Sequence, residues 1–177
     1  MRTMLAGRRM SQALDISINL EEPSAMNTAN SQLDRQAIEE LVHRYCYYFD
    51  RNLPEELSKL FALDAVVDYG PEVANLVGRN KILEMVSKGL SETFLATSHH
   101  ISNLMITFQS DNSAQSTSYL YAWHKYHNRE EIGHLWGGYE HEFEKIEGVW
   151  LIKSLKLFGV GMQDFHRSNM HSNGRKP

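Results

Sequence analysis

The hydrophobic period of this chain changes once, and that change limits its possible folds more than any other feature. Up to about residue 90 the apolar residues recur at helical spacing, and from residue 99 onward they alternate with polar ones. Ile38, Leu41, Val42, Tyr45 and Phe49 fall on one helical face, which predicts an amphipathic helix over 34–50. Ser31 with Asp34 resembles a capping box in which Asp stands for the usual Glu or Gln. Pro54 suits the first turn of a second, short helix with Leu57, Leu60 and Phe61 on its apolar side. Residues 65–69 read as a short strand ended by Gly70-Pro71, and Gly78-Arg79-Asn80 opens a third helix carrying Ile82, Leu83, Val86 and Leu90. Beyond it, residues 99–109, 114–127, 134–146 and 149–159 alternate as four strands, with turn chemistry at Asp111-Asn112 and Glu147-Gly148. Helices followed by a long antiparallel meander define an α+β order rather than alternating β-α units. A strongly curved sheet of this kind can wrap against the helices and enclose a pocket.

Composition narrows the function classes. At 177 residues the chain is the size of one domain. Its 42% hydrophobic and 23% charged residues are ordinary for a globular core. The formal net charge is −4. Arg2, Arg8 and Arg9 cancel Asp15, Glu21 and Glu22 in the first stretch, while Arg167, Arg175 and Lys176 outnumber Asp164 in the last. The middle therefore concentrates the negative charge, the wrong sign for a phosphate-binding surface, and no nucleic-acid partner is expected. The single cysteine, Cys46, excludes an internal disulfide framework and sits in an apolar helical run where a small buried hydrophobe is expected. No stretch approaches the roughly 18 apolar residues of a membrane span, and no apolar segment follows Arg8-Arg9 as a secretion signal would require. No membrane association and a cytoplasmic location are expected. Residues 1–30 are expected to form a disordered leader, with Met26 a candidate start. Residues 31–162 are expected to form the folded unit, and 163–177 a flexible tail.

Nine histidines make candidates for chemistry plentiful, so placement decides among them. His99-His100 opens a strand; on alternation His99, Ile101, Asn103 and Met105 share one side and His100 turns away. His124 shares a side of the next strand with Leu120, Ala122 and Tyr126. Asp50 closes the first helix, directly after Tyr45, Tyr47, Tyr48 and Phe49. A carboxylate that ends an apolar helix costs free energy if buried unpaired. A histidine is a recurrent partner, because the carboxylate fixes the ring tautomer and raises its basicity. Plainer roles stay open for each residue. A strand histidine is commonly structural, Asp50 can be a solvated helix end, and the tyrosines can be packing. Glu140, Glu142 and Glu144 alternate with Tyr139, His141 and Phe143 as a solvated side. His141 and His166 have no assigned role. A metal held by Asp50, His99 and His124 would need ligand-orienting partners that strands rarely present, so no metal is expected. No dinucleotide or phosphate loop occurs, and no cofactor is expected.

The helix RQAIEELVHRYCYYFDRN closing on Asp50, the strand AVVDYG, the segment SHHISNLMI and the hairpin YEHEFEKIEGVWLIKSLKL come in a telling order. In that order the chain resembles the SnoaL-like family of the nuclear-transport-factor-2-like superfamily over residues 34–161. It is similar in particular to scytalone dehydratase, the bile-acid 7α-dehydratases and gamma-hexachlorocyclohexane dehydrochlorinase. The resemblance implies a cone-shaped half-barrel, in which a curved antiparallel sheet and N-terminal helices surround an apolar pocket, and a homodimer or homotrimer. It implies that His99 is a general base oriented by Asp50, with His124 as a second catalytic histidine. His100 is the rival for the first of these roles. Tyr45, Tyr69, Asn103 and Tyr139 are implied as substrate-binding; Tyr139 stands where scytalone dehydratase has an asparagine. Gly159 or a neighbour stands where the bile-acid enzymes have an arginine.

The activity implied is a cofactor-independent lyase. It would be a dehydratase removing water by His-Asp general-base β-elimination from a small apolar cyclic substrate such as a hydroxylated steroid, polyketide or terpenoid. The alternatives on the same pocket are a dehydrohalogenase or a double-bond isomerase. The non-catalytic alternatives are a ligand-binding protein or the small subunit of a ring-hydroxylating dioxygenase.

Overall fold

The computed structural model describes residues 25–174, with side chains from residue 31 onward. The expected leader up to residue 24 and the last three residues lie outside this range. The first helix, α1, runs Ala25–Asp50 and so begins before the predicted start. No Gly or Pro interrupts the chain between Pro23 and Pro54, so Ser31 and Asp34 lie within the helix rather than at its cap. Asp34 serves another purpose there. It accepts a hydrogen bond from the Trp150 indole (2.9 Å) and pairs with Lys145 (2.6 Å), fastening the helix to the far hairpin. Ile38, Val42, Tyr45 and Cys46 form its buried stripe. The helix stops in a Schellman turn: Asn52 takes a left-handed φ of 55°, Leu53 N–H donates to the Tyr48 carbonyl and Asn52 N–H to that of Phe49. That stop leaves Asp50 as the last helical residue.

Helix α2 (Pro54–Ser58) starts at its proline, strand β1 (Phe61–Asp68) pairs with the short β2 (Leu76–Val77), and α3 (Arg79–Lys88) follows. One π-helical turn, Gly89–Thr93, leads into the four long strands β3 (Phe94–Ser110), β4 (Ser113–Tyr126), β5 (Ile132–Ile146) and β6 (Val149–Gln163). The last element is the two-residue β7 (His171–Ser172). The architecture is the expected α+β one, with strand order β2-β1-β6-β5-β4-β3. The four long strands pair antiparallel as expected, and β1 and β7 join them parallel to β6, so the whole sheet is mixed. Tight turns dictate antiparallel hairpins within 94–163. β1 and β7 instead reach β6 through long connections, which leave direction free. β1 covers the edge of β6 at residues 152–156, and β7 continues that edge at Phe158 and Gly159.

The sheet coils sharply where β5 meets β6. A bulge between Trp136 and Gly137 adds a residue to β6, and the chains pass with Gly137 opposite Gly159 and Gly138 opposite Phe158. A Cβ on Gly137 would collide with the Phe158 carbonyl, and one on Gly138 with the Ser118 carbonyl and the Phe158 ring. On the concave side β4 buries Leu120, Ala122, His124 and Tyr126, as its alternation predicted, and β5 buries Tyr139, His141 and Phe143. Glu140 and Glu142 face solvent.

Residues 163–174, expected to be a loose tail, fold back over the open end of the cone. Their Ser, Asn and His composition suggests a coil, yet those polar groups hold it down. Glu72 accepts hydrogen bonds from Ser168 N–H (3.1 Å) and Asn169 N–H (2.9 Å), and His171 Nε2 meets both Asp68 oxygens at 2.9 Å. Phe165 and Met170 pack against the core.

Gly137→Ala is expected to lower stability by about 2–3 kcal/mol, because backbone rather than a side-chain tip would have to move. That corresponds to a fall of roughly 5–10 °C in calorimetric Tm. Gly161→Ala, whose Cβ would sit 3.8 Å from the Trp136 ring, is expected to stay within about 1 kcal/mol of wild type.

Candidate active site

Three donors converge on the carboxylate at the end of α1. The Thr97 hydroxyl donates to Asp50 Oδ1 (2.7 Å), the His99 backbone N–H to Oδ2 (2.8 Å), and His99 Nδ1 lies 2.6 Å from Oδ1. The helix C-terminus disfavours a negative charge, so these β3 donors are what make the position tolerable. Burial works to raise the Asp50 pKa; the His99 ring and its charge, the His99 N–H and the Thr97 hydroxyl outweigh it and hold the carboxyl below its ordinary value. With an ionised acceptor at Nδ1, the His99 tautomer carries its proton there and presents the Nε2 lone pair to the cavity. The His99 side chain is 5% exposed.

His124, on β4, places its Nε2 3.4 Å from His99 Nε2. Since that His99 nitrogen bears the lone pair, His124 is the donor, and its Nδ1 is buried without a partner among the described residues. Burial, then the charges of His99, His166 and Arg167, push the His124 pKa down to about 2, so the ring is neutral. Phe49 lies edge-on to His99 at 5.0 Å, and Phe94 and Phe165 flank His124 at 4.7 and 5.3 Å between ring centres.

Further along the same cavity the Tyr45 and Tyr69 hydroxyls share a hydrogen bond of 2.8 Å, and the Tyr139 ring meets that of Tyr45 edge-on at 5.7 Å. Burial raises all three phenols, Tyr69 to about 12, so they are neutral donors. The cavity measures about 260 Å³ and is mostly apolar.

Of the residues singled out from sequence, Asp50, His99, His124, Tyr45, Tyr69 and Tyr139 come together here. Asn103 does not. A bulge between Ser102 and Met105, with Asn103 at a left-handed φ of 51°, breaks the alternation that was expected to keep Asn103 beside His99. Inward-facing positions resume at Leu104 and Ile106, and Asn103 and Met105 are exposed. His100 faces outward, bonded to the Ser98 hydroxyl (3.0 Å) and 5.8 Å from the Tyr121 ring, so it is His99 that meets Asp50. Sequence reasoning missed the contribution of the tail: Phe165, His166 and Arg167 line the cavity. The available signal was an aromatic, a histidine and an arginine side by side in a segment otherwise rich in Ser and Asn. Among the described residues no group of three or more His, Cys, Asp or Glu side chains is placed to hold a metal ion, and no helix is long and apolar enough to cross a membrane.

With fold and site in hand, comparison with known proteins identifies the class. The family model of the SnoaL-like domain matches residues 30–156, and the chain belongs to that family, within the nuclear-transport-factor-2-like superfamily. Its structure is similar to that of a scytalone dehydratase-like protein from Novosphingobium aromaticivorans DSM 12444 (33% identity, TM-score 0.79, covering 85% of this chain and 99% of that one). It is also similar in fold to a type 2 hexachlorocyclohexane dehydrochlorinase, LinA (17% identity, TM-score 0.73, 84% and 99% covered). The type 3 LinA of Novosphingobium barchaimii LL02 gives 16% identity and a TM-score of 0.72, with 81% and 97% covered. No curated protein sequence matches the chain closely.

The buried histidines make a pH prediction. Burial, foremost, holds His124 near about 2 and His141 and His166 near about 3. The unfolded chain protonates these rings below about pH 6.5 and the folded one does not, so stability falls as pH drops through that window. Each fully engaged ring contributes about 1.4 kcal/mol per pH unit. Urea midpoints are therefore expected to fall between pH 6.5 and 4.5, with a shallower slope in His141→Gln. Midpoints independent of pH over this range would contradict the assignment.

Proposed function

We propose that this protein is a cofactor-independent carbon–oxygen lyase, a dehydratase acting on a compact hydroxylated cyclic compound. One observation carries the proposal: Asp50, His99 and His124 form a continuous chain of contacts, and the two histidine rings line a mostly apolar cavity. His99 Nε2 is the base. It takes a proton from the carbon next to a carbonyl; the C–H electrons form the C=C bond as the neighbouring C–O bond breaks. The imidazolium formed is stabilised by Asp50, and it returns the proton to the departing oxygen, which leaves as water. His124 is too reluctant to change charge to serve as the acid; its Nε2–H orients the reacting groups. The Tyr45–Tyr69 pair is suited to donate a hydrogen bond to the substrate carbonyl and so acidify the C–H.

The cavity lies just below the range of about 300–1,000 Å³ common for ligand pockets, which favours a one- or two-ring polyketide or terpenoid over a four-ring steroid. A carboxylate-based double-bond isomerase fits less well, because Asp50 is already committed to three donors. Removal of HCl would use the same base and is an arm of the test.

The test is an elimination assay, read by mass spectrometry and ultraviolet absorbance, over hydroxylated cyclic ketones and chlorinated cyclohexanes. Wild type is expected to lose water from the former, with His99→Ala and Asp50→Asn each down at least about a hundredfold, roughly 2.7 kcal/mol of transition-state stabilisation. Turnover unaffected by either substitution would sink the mechanism. Loss of HCl alone would make the enzyme a dehydrohalogenase.

A further inference from the structure

The tail brings into the cavity a positive charge that forms no ion pair among the described residues. Arg167 is half-buried, lines the cavity beside Phe165 and His166, and lies over the Tyr69 ring with its guanidinium carbon 5.6 Å from the ring centre. Nη1 donates to the Tyr69 backbone carbonyl. A guanidinium carries five N–H donors, so most remain for another partner. No carboxylate forms an ion pair with Arg167 among the described residues. Glu72, whose charge reaches it, is engaged by Ser168 and Asn169. Asp50, the carboxylate at the His99 end of the cavity, is occupied by its three donors. Of the other titratable groups lining the cavity, His124 and His166 are held far below their ordinary pKa and Tyr45, Tyr69 and Tyr139 above theirs, so these five are neutral, and His99 is engaged by Asp50.

A cation in such surroundings is costly unless a counter-charge completes it. The guanidinium is also held in place. Its neighbours along the tail are clamped to Glu72 and Asp68, and its own bond to Tyr69 fixes its distance from the tyrosine pair. A donor array that is rigid, planar and unpaired is suited to bidentate capture of a carboxylate.

We propose that Arg167 is the anchor for a carboxylate of the substrate, so that the cavity selects compact cyclic acids over their neutral counterparts. This deepens the lyase proposal by naming the substrate class. The acid group docks against the tail while the reacting carbon faces His99. Arg167 takes no part in proton transfer; it sets specificity and position.

Binding tests this without turnover, so failure of the elimination chemistry would leave it standing. Calorimetric titrations of benzoate and cyclohexanecarboxylate are compared with benzamide and cyclohexanecarboxamide, neutral probes of nearly the same shape, at neutral pH and low salt. Wild type is expected to bind the acids at least about tenfold more tightly than the amides. Arg167→Gln, which can still donate to the Tyr69 carbonyl, is expected to lose that preference, and Arg167→Lys to keep part of it. Should Arg167→Gln fail to fold by circular dichroism, the wild-type comparison and Arg167→Lys still decide. Equal affinity of wild type for acid and amide, acid binding no tighter than millimolar, or a preference that survives Arg167→Gln would each overturn the proposal.

Discussion

The cavity exists because two neighbouring strands pass closer than side chains would allow. At Gly137 and Gly159 the backbones of β5 and β6 meet beside a bulge, and Gly138 lets the Phe158 ring lie against the strand. A bulge and a close approach of this kind bend a sheet more sharply than its ordinary twist. The cavity is walled by β4, β5 and β6 on one side and by α1 and α3 on the other. The concave wall inherits its residues from simple alternation, so the same sheet that builds the core also presents Leu120, Ala122, His124 and Tyr139 to the cavity.

Within that frame, Asp50 joins the two halves of the fold. It is the last residue of α1 and receives its hydrogen bonds from β3, the edge strand of the sheet. Two of the three bonds come from one residue, His99, whose backbone and ring are both held. The ring therefore has little freedom to rotate, and its free nitrogen has one direction to point. An apolar setting around one ionised carboxylate and its histidine partner is also an electrostatic choice. Phe49, Phe94 and Phe165 keep water away, which strengthens the Asp50–His99 interaction and keeps His124 neutral. Arg167 brings the opposite charge to the cavity lining, held on a segment that reaches the site only by folding back from the end of the sheet.

Much of this was legible in the linear order of residues, because it depends on local periodicity. The stripe of α1, the alternation of β4 and β5 and the outward glutamates follow from side-chain geometry in one element at a time. The pairing of Asp50 with a histidine of the His99-His100 pair was legible for a different reason: an acidic group ending an apolar helix needs a partner, and resemblance to the SnoaL-like family pointed to that segment. Three expectations failed where local rules stop applying. Asn103 left the cavity because one bulge reversed the alternation of β3 after His99. The capping signal at Ser31 and Asp34 was overridden by a continuous helix that uses Asp34 to hold Trp150 and Lys145. The tail looked loose because its composition is polar, although that polarity is what binds it to Glu72 and Asp68.

The sequence alone determined the α+β order, the four long strands, the faces of α1 and β4, and the candidacy of Asp50, His99, His124 and three tyrosines. The elements rest on spacing within a short stretch, and the site candidates on the chemistry of a residue type together with resemblance to the SnoaL-like family. Only the tertiary structure decided the direction of β1 and β7, the choice of His99 over His100 against Asp50, the loss of Asn103 from the site and the arrival of Arg167 in it. Those outcomes are set by bulges, close backbone approach and hydrogen bonds between residues about 50 to 100 positions apart. Such contacts leave no period in the chain, because their free energy is gained only when the distant partners are already in place.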